Sequence, residues 1–261
     1  GGYVYTSTNS GATWVSRFGP AAFGSVASSA NGARLVAVIN NTGSPGGIYS
    51  STDSGATWAQ TSTATRAWYS VASSANGSNL VAVVTGGGIY TYSGSSWAAT
   101  SALNKNWVSV ASSADGTKLA AVETGGGIYT SVNSGSTWAP QTNAPSLTWA
   151  AIASSSDGGK LVAASQNGGI YTSINFGVTW TLQSGTSAKT WNCIASSASG
   201  GTLAAGVYGA GLYYNQATVQ TSTTPGVSGS ISGSQGSAVE LQYIGNNQFM
   251  PVSSAGIIWA N

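Results

Sequence analysis

Residues 107–138 read WVSVASSADGTKLAAVETGGGIYTSVNSGSTW, and variants of this stretch recur along most of the 261-residue chain. Its most regular part is a Gly-rich turn followed by an aliphatic residue and a tyrosine, as in Gly127-Ile128-Tyr129. Six such segments occur at intervals of about 42 residues. A repeat of this length indicates a stacked or circular array of one small supersecondary unit. The tyrosines of the six segments are Tyr5, Tyr49, Tyr90, Tyr129, Tyr171 and Tyr213.

Each repeat contains four strand-like segments and no helical periodicity. In the quoted repeat, residues 109–113 alternate apolar and polar side chains, the period of a strand with two different faces. Asp115-Gly116 follows, and this dipeptide favours a tight hairpin turn. Residues 119–122, Ile128-Tyr129 and the region of Trp138 provide the other three strands. The pattern predicts an all-β fold, a β-propeller with four-stranded antiparallel blades.

The repeats do not divide evenly into blades. Four are complete, at residues 25–58, 70–97, 109–138 and 151–180. A fifth, at 191–214, has three clear strands and a candidate fourth at Thr218–Thr221. Residues 1–14 contain only the third and fourth strands of a blade. Two partner strands are needed there, because an open sheet edge exposes unpaired N–H and C=O groups.

The C-terminal region contains candidates for these two strands. Residues 238–244 and 248–252 flank Gly245-Asn246-Asn247, a plausible hairpin turn, and residues 257–259 form a third candidate strand. The economical prediction is a six-bladed propeller with one blade shared by the N- and C-terminal strands. The alternative is five blades plus an appended hairpin.

The domain organisation follows from these strands. We predict propeller repeats over residues 1–214, a Ser/Thr/Gly-rich linker over 215–236 and a C-terminal β segment over 237–261. The linker can span up to roughly 70 Å when fully extended. The C-terminal segment could therefore complete the split blade of its own chain or that of a neighbouring molecule.

The loop between the third and fourth strands resembles the Asp-box, or bacterial neuraminidase repeat. Residues 51–58, STDSGATW, match its Ser, Asp, Gly, Thr and Trp positions, three other loops carry Asn in place of Asp, and residues 92–97 form a shortened version. The resemblance implies that the Asp or Asn side chain ties the turn, that the Trp packs between neighbouring sheets, and that the loop is remote from any active site. The residues concerned are Asn9, Trp14, Asp53, Trp58, Trp97, Asn133, Trp138, Asn175 and Trp180.

The composition restricts where the protein works and what it binds. Only 5% of the residues are charged, the net charge is +2, and hydrophobic residues make up 41%. A folded surface built from Ser, Thr, Asn, Gln and Gly predicts an extracellular or cell-surface protein. The low charge disfavours nucleic acid, and no apolar run reaches the length of a membrane span. The start on Gly1-Gly2 predicts that a leader or tag was removed upstream.

The sequence contains few residues that could act in catalysis. The chain has no histidine, and its single cysteine, Cys193, excludes an intramolecular disulfide. The resemblance points to sialidases, which need an arginine triad. This chain has only three arginines, and Arg34 lies in a hairpin turn. Other glycosidases need two carboxylates flanking the scissile bond. We therefore predict no enzyme, no cofactor and no metal. The acidic residues are Asp53, Asp115, Glu123, Asp157 and Glu240.

One set of side chains predicts a ligand site. An aromatic residue precedes the first strand of every blade, and three of the five have a cation two residues earlier. Aromatic faces beside cations suit acidic glycans, with one site per blade. The alternative is that the aromatic residues fill the gaps between blades. The residues are Phe23, Trp68, Trp107, Trp149, Trp191, Arg66, Lys105 and Lys189.

These observations lead to three hypotheses on function. The leading one is a non-catalytic structural or assembly module, the subunit of a filament or matrix polymer joined by strand addition through residues 238–260. The second is a carbohydrate-binding lectin, and the third is a glycosidase. Asn40 and Asn76 begin triplets that fit N-glycosylation, so the chain is a candidate glycoprotein.

Overall fold

The computed structural model consists of β-strands joined by turns and loops. It describes the chain except for residues 1, 41–45, 63–64, 188, 210, 215–217, 224–230, 235–237, 246–247, 256–257 and 261, and it describes side chains up to residue 213 apart from residue 62. The chain divides into two compact units, Gly1–Tyr213 and Tyr214–Asn261. The predicted all-β fold is confirmed, since every element in the described part of the chain is a strand.

The first unit holds a half-blade and five blades in chain order. The half-blade is β1 (Gly2–Thr6) and β2 (Val15–Ala21). Blade 1 is β3 (Phe23–Ser28), β4 (Leu35–Ile39), β5 (Ile48–Ser51) and β6 (Ala59–Ser62). Blade 2 is β7 (Trp68–Ser73), β8 (Asn79–Gly87), β9 (Ile89–Ser93) and β10 (Trp97–Ala99). Blade 3 is β11 (Lys105–Ser112), β12 (Leu119–Gly126), β13 (Ile128–Ser131) and β14 (Ala139–Pro140). Blade 4 is β15 (Leu147–Ser154), β16 (Leu161–Ser165), β17 (Gly169–Ser173) and β18 (Thr181–Leu182). Blade 5 is β19 (Trp191–Ser196), β20 (Leu203–Val207) and β21 (Leu212–Tyr214).

Within each blade, successive strands pair antiparallel, as the hairpin turns predict. The register shifts at one point in every first strand, directly after the aromatic residue. In blade 3, Trp107 is opposite Glu123 while Ser109 is opposite Val122. The same irregularity follows Phe23, Trp68, Trp149 and Trp191. A bulge bends its strand and changes the direction of a side chain. The bulge therefore sets the direction of the aromatic ring in every blade.

The core lies between blades as well as within them. Trp107 of blade 3 packs with Val81, Val83 and Ile89 of blade 2. Trp68, Trp149 and Trp191 each pack in the same way against the blade that precedes their own. A buried aromatic ring removes a large apolar area from water. The described blades are therefore held together by one recurring wedge.

A line of hydrogen bonds connects the hairpin turns of successive blades. The amide of Ala30 donates to the carbonyl of Ala75, and Ala75 donates to Ala114 in turn. The series continues from Ala114 to Ser156 and from Ser156 to Ala198, so every bond points the same way along the chain. We call this series the turn ladder.

Side chains reinforce the turn ladder. Asn79 Nδ2 donates to the carbonyl of Asp115 over 3.0 Å, and Lys118 Nζ donates to that of Asp157 over 2.8 Å. The side chains of Asn79 and Lys118 each cross the hairpin turn of the next blade at a glycine, Gly116 and Gly158. Gly116 has a φ of +77°, and a Cβ on it would lie 2.7 Å from the Cβ of Asn79. The Asp-Gly and Asn-Gly pairs therefore shape the hairpin and also leave room for the neighbouring blade.

The described residues of the second unit form five strands. They are β22 (Thr218–Thr223), β23 (Ile231–Ser234), β24 (Ala238–Gly245), β25 (Gln248–Ala255) and β26 (Ile258–Ala260). The hairpin predicted at 238–252 is present as the antiparallel pair β24–β25. The candidate fourth strand of blade 5 is a strand, but it pairs with β23. The segment 215–236, predicted as a linker, contains β22 and β23. β22 has three Thr and one Val, residue types that favour extended structure.

We predict that Trp107→Ala lowers the free energy of unfolding by about 3–5 kcal/mol, since it leaves a cavity between blades 2 and 3. Chemical denaturation followed by fluorescence of the remaining tryptophans measures this change. Leu103→Ala is the matched control, because Leu103 is exposed and should cost less than about 0.5 kcal/mol. A loss below about 1 kcal/mol for Trp107→Ala would show that the wedge does not hold the joint.

Candidate functional site

The aromatic residues predicted to bind ligands are largely inaccessible. Trp68 and Trp107 are 0% exposed, Trp149 1% and Trp191 2%. Phe23 is half-buried, with its ring 5.5 Å from that of Phe18. Sugar stacking needs an exposed ring face, so the burial of the four tryptophans removes the basis of that prediction. They fill the gaps between blades instead.

The predicted cations lie over tyrosines rather than lining a ligand site. Arg66, Lys105 and Lys189 lie 4.8, 5.1 and 5.0 Å from the ring centres of Tyr90, Tyr129 and Tyr213. Each tyrosine in turn packs edge-on against the buried tryptophan of its own blade. A cation over an aromatic face stabilises the pair electrostatically. The constant spacing of 24 residues between cation and tyrosine is the sequence signal for this pairing.

Glu123 has a structural partner for its charge. Its carboxylate lies 2.9 Å from Lys105 Nζ, and it accepts further hydrogen bonds from the Gly127 amide and the Tyr129 hydroxyl. The hydrogen bond from Lys105 to Glu123 raises the pKa of Lys105. Position 123 faces Trp107 across the strand pair. Glu123 therefore anchors the cation and the tyrosine of blade 3.

The remaining described carboxylates tie turns. Asp115 accepts from the Thr117 amide, and Asp157 accepts from the Gly159 amide. Glu240 lies among the residues whose side chains are not described. Among the residues that the structure describes, no three His, Cys, Asp or Glu side chains cluster to hold a metal. Over the same residues, no helix has the length and apolarity to cross a membrane.

The Ser-Asx-Gly-Thr-Trp loops have the geometry that the resemblance implies. Asp53 Oδ1 accepts from the Ser51 hydroxyl over 2.7 Å and from the Thr57 amide over 2.9 Å, and Asp53 Oδ2 accepts from the Thr57 hydroxyl over 2.6 Å. The bonds from the Thr57 hydroxyl, the Thr57 amide and the Ser51 hydroxyl lower the pKa of Asp53 from 3.8 to about 2. Asn9, Asn133 and Asn175 make equivalent bonds.

The tryptophans of these loops differ in their surroundings. The ring of Trp58 stacks on that of Phe18 at 5.1 Å. Trp97, Trp138 and Trp180 each pack against a buried cluster that joins their own blade to the blade before it. Trp14, in the half-blade, is exposed. The inter-sheet packing implied by the resemblance therefore occurs in the blades but not at Trp14.

The two glycosylation candidates differ in accessibility. Asn76 is exposed in a turn, although its Oδ1 accepts hydrogen bonds from Ser74 and Ser78. Asn40 is half-buried and forms a β-bridge with Ala67 of the next blade. Asn41 and Thr42, the rest of its triplet, lie outside the described residues. Asn76 is the better placed of the two for modification.

A cleft lies between the half-blade and blade 1. It has a volume of about 640 Å³ and is lined by Val4, Tyr5 and Trp14 on one side and by Val26 and Leu35 on the other. Val26 is 58% exposed, whereas its equivalents Val71, Val110 and Ile152 in the next three blades are each 5% exposed. The cleft therefore exposes apolar residues that an internal joint would bury. We call it the half-blade cleft.

A second apolar surface lies on blade 5. Leu212 is 80% exposed, whereas Ile48, Ile89 and Ile128, its equivalents in blades 1 to 3, are 0% exposed. Those isoleucines receive the tryptophan of the following blade. The series of described blades thus has an uncovered joint surface at each end. Sequence counting predicted missing strands, but it did not identify which side chains their absence exposes.

Repeated four-stranded sheets joined by these wedges define a β-propeller. No protein-family model and no curated protein matches the chain. Solved β-propellers do resemble it. The Niastella koreensis GH74 enzyme aligns with a TM-score of 0.58 and 21% identity, over 74% of this chain and 30% of its own.

Two similar structures contain a binding partner. A YCF48 structure bound to a D1 peptide aligns with a TM-score of 0.57 and 18% identity, over 78% of this chain and 68% of its own. A nidogen/laminin complex gives a TM-score of 0.61 and 10% identity, over 75% and 76%. At these identities the likeness shows the fold alone. The predicted β-propeller is confirmed, while the number of blades stays a prediction.

We predict that acid weakens the fold through the turn carboxylates. Hydrogen bonds from Ser113 and Thr117 also lower the pKa of Asp115 to about 2. Because the folded-state pKa values lie below the unfolded value near 3.9, the stabilisation is present above about pH 4 and is lost as pH falls through about 2. The variant Asp53→Asn/Asp115→Asn keeps the turn bonds that asparagine makes elsewhere in the chain. Its denaturation midpoint should fall less than that of the original chain between about pH 5 and 2.5.

The reverse substitution is the control for this experiment. Asn133→Asp introduces a carboxylate into an equivalent loop and should make the midpoint more sensitive to pH. Equal pH dependence in all three proteins would contradict the assigned role of the turn carboxylates.

Proposed function

We propose that this protein is a non-catalytic, extracellular or cell-surface β-propeller of the Asp-box type. It serves as an assembly module, and its copies join by strand addition through residues 238–260. The observation that carries the proposal is the half-blade, which has two strands where four of the five blades have all four. A further pair of strands is needed to complete it. An open sheet edge beside exposed apolar side chains is a site for β-strand addition.

The distribution of charged groups supports a non-catalytic role. Glu123 is paired with Lys105, and Asp53, Asp115 and Asp157 are bound in turns. No two carboxylates among the described side chains stand free on opposite sides of a cleft, as glycoside hydrolysis requires. The similarity to a GH74 enzyme does not alter this proposal, because the chain spans only 30% of that enzyme.

The solved propellers that hold partner chains are consistent with an assembly role. One is bound to a peptide, and the other is in a complex with a second protein. The surface of this chain also suits packing against like surfaces, since 5% charged residues give little electrostatic repulsion between copies. A six-bladed ring completed by a second chain is the arrangement that we propose.

Carbohydrate binding is a second candidate, at a different place from the predicted aromatic ring. Trp14 and Tyr5 are exposed and line the half-blade cleft. Exposed aromatic rings in a concave site are suited to stacking on sugars. A glycan array probed with the full chain and with Trp14→Ala tests this candidate. It is supported by glycan binding that is lost in the variant, and rejected when no glycan binds.

We predict that the full chain forms multimers whose mass rises with concentration between about 1 and 100 μM, the range in which a modest interface assembles. Deletion of residues 238–261 should leave a monomer, because it removes the added strands. Size-exclusion chromatography with light scattering measures both masses.

The exposed Val132, on a loop of blade 3, provides the control for this experiment. Val132→Asp should assemble as the original chain does. A full chain that stays monomeric at about 100 μM would contradict the proposal, and so would a deletion variant that still forms multimers.

A further inference from the structure

We infer that Asn167, in the turn between β16 and β17, is a site of spontaneous covalent modification that converts it to a mixture of aspartate and isoaspartate. The inference goes beyond the proposed function, since it concerns one turn of blade 4 and does not depend on assembly. It rests on a comparison of the three Asn-Gly pairs in the chain. These pairs are Asn31-Gly32, Asn76-Gly77 and Asn167-Gly168.

The reaction uses only the groups of such a pair and water. The main-chain nitrogen of the glycine loses its proton and attacks Cγ of the asparagine side chain. Ammonia leaves with that proton, and a five-membered cyclic imide remains. Water then opens the imide, at the former side-chain carbonyl to give aspartate or at the main-chain carbonyl to give isoaspartate. Glycine favours the attack because it has no Cβ to obstruct the approach, but the asparagine side chain must be free to turn toward it.

The side chain of Asn76 is not free to turn. Its Oδ1 accepts hydrogen bonds from the Ser74 hydroxyl over 2.8 Å, from the Ser78 amide over 3.0 Å and from the Ser78 hydroxyl over 2.7 Å. These bonds hold the side chain against the amide two residues further on, as in other turns that asparagine stabilises. The preceding residue, Ala75, is also fixed, because it donates and accepts in the turn ladder. Attack by Gly77 would require these side-chain bonds to break.

Asn31 is held in the same way. Its Oδ1 accepts hydrogen bonds from the Ser29 hydroxyl over 2.8 Å and from the Ala33 amide over 3.1 Å. The preceding residue, Ala30, donates to the turn of the next blade in the turn ladder. Both Asn-Gly pairs of the turn ladder therefore have a side chain whose direction is set by hydrogen bonds.

Asn167 has no such restraint. Its side chain is exposed, and none of the described residues forms a hydrogen bond with it. The Gly168 amide donates to Ser165 Oγ over 3.1 Å. The amides of Gly32 and Gly77 likewise each donate one hydrogen bond, over 3.0 Å, to a main-chain carbonyl. The three glycine amides are thus similarly bonded, and the freedom of the asparagine side chain distinguishes Asn167.

The repeat indicates that blade 4 can accept the change. Asn167 stands where blades 2 and 3 have Gly86 and Gly125, so this position needs no particular side chain. Those two glycines have φ values of +71° and +73°, whereas the positive φ of the blade 4 turn is at Gly169, at +95°. An aspartate at position 167 therefore removes no hydrogen bond of the described fold. It adds one negative charge and lowers the net charge of the chain from +2 to +1.

Incubation of the full, folded chain in mildly alkaline buffer tests the inference. Cleavage after Lys and Arg places the three pairs in different peptides, residues 18–34, 67–105 and 161–189. Mass spectrometry then measures the conversion of each asparagine separately. We expect Asn167 to react at least about tenfold faster than Asn31 and Asn76, because each of these must first break two or more ordinary hydrogen bonds. Equal conversion of all three in the folded chain would overturn the inference.

The same incubation in concentrated denaturant is the control for the role of the structure. Unfolding removes the hydrogen bonds of Asn31 and Asn76, so the three Asn-Gly pairs should then react at similar rates. A tenfold preference for Asn167 that persists in denaturant would show that local sequence causes it, and would overturn the structural explanation.

Two variants give independent readouts. Asn167→Gln should abolish the first acidic species that isoelectric focusing resolves, because glutamine has one more methylene and cyclises slowly. Persistence of that species at the original rate would overturn the assignment to this residue.

The second variant tests the restraint at the turn ladder. Ser78→Ala removes one of the three hydrogen bonds to Asn76 Oδ1 and keeps the bond from its own amide. The conversion of Asn76 in the folded chain should rise about fivefold, the effect of losing one hydrogen bond of ordinary strength. Conversion of Asn167 should stay the same in this variant. An unchanged rate at Asn76 would contradict the protection assigned to these bonds.

Discussion

The joint between blades depends on one interaction, the insertion of an aromatic ring from each blade into the apolar face of the blade before it. A blade of Ser, Ala, Val and Gly has little core of its own, and a four-stranded sheet of this size needs a second layer to be stable. Trp107 contributes that layer for blade 2, and the bulge after it directs the ring toward the joint. At each joint the ring comes from the following blade. The last blade of a series therefore has an apolar face that receives no ring, and the first blade has a ring with no complete blade before it.

The polar half of the joint is built mainly from neutral groups. The turn ladder satisfies backbone groups between blades, and serine hydroxyls such as Ser25 and Ser70 accept amides of the following blade. Neutral hydrogen bonds require less desolvation than ion pairs when they are buried. In the described region Lys105 and Glu123 form an ion pair at the edge of such a joint, where part of the pair stays in solvent. A protein with 5% charged residues can thus define how its blades pack through neutral hydrogen bonds. The assembly surface that we propose uses the same neutral groups.

Sequence reasoning was strongest where the pattern is local. The period of the Gly-Ile-Tyr segments, the Asp-Gly turns and the Ser-Asx-Gly-Thr-Trp loops predicted the strands, the hairpins and the hydrogen bonds of Asp53. It was weakest where partners come from another repeat. The position of Trp107 before a strand does not show whether its ring faces solvent or the previous blade, so the predicted aromatic sites were placed on buried residues. The pairing of Thr218–Thr223 with β23, rather than with blade 5, is likewise a choice between distant partners that composition does not specify.

The turn ladder also bears on how such a chain changes over generations. Each link uses the same few atoms: an amide, a carbonyl, a glycine without a Cβ and a side chain reaching over it, as Asn79 does over Gly116. A duplication of one repeat length would reproduce both halves of a link wherever it begins, so the new copy would fit its neighbours without compensating substitutions. Unequal recombination could therefore lengthen or shorten the array in whole blades. The half-blade would keep its open edge through every such event.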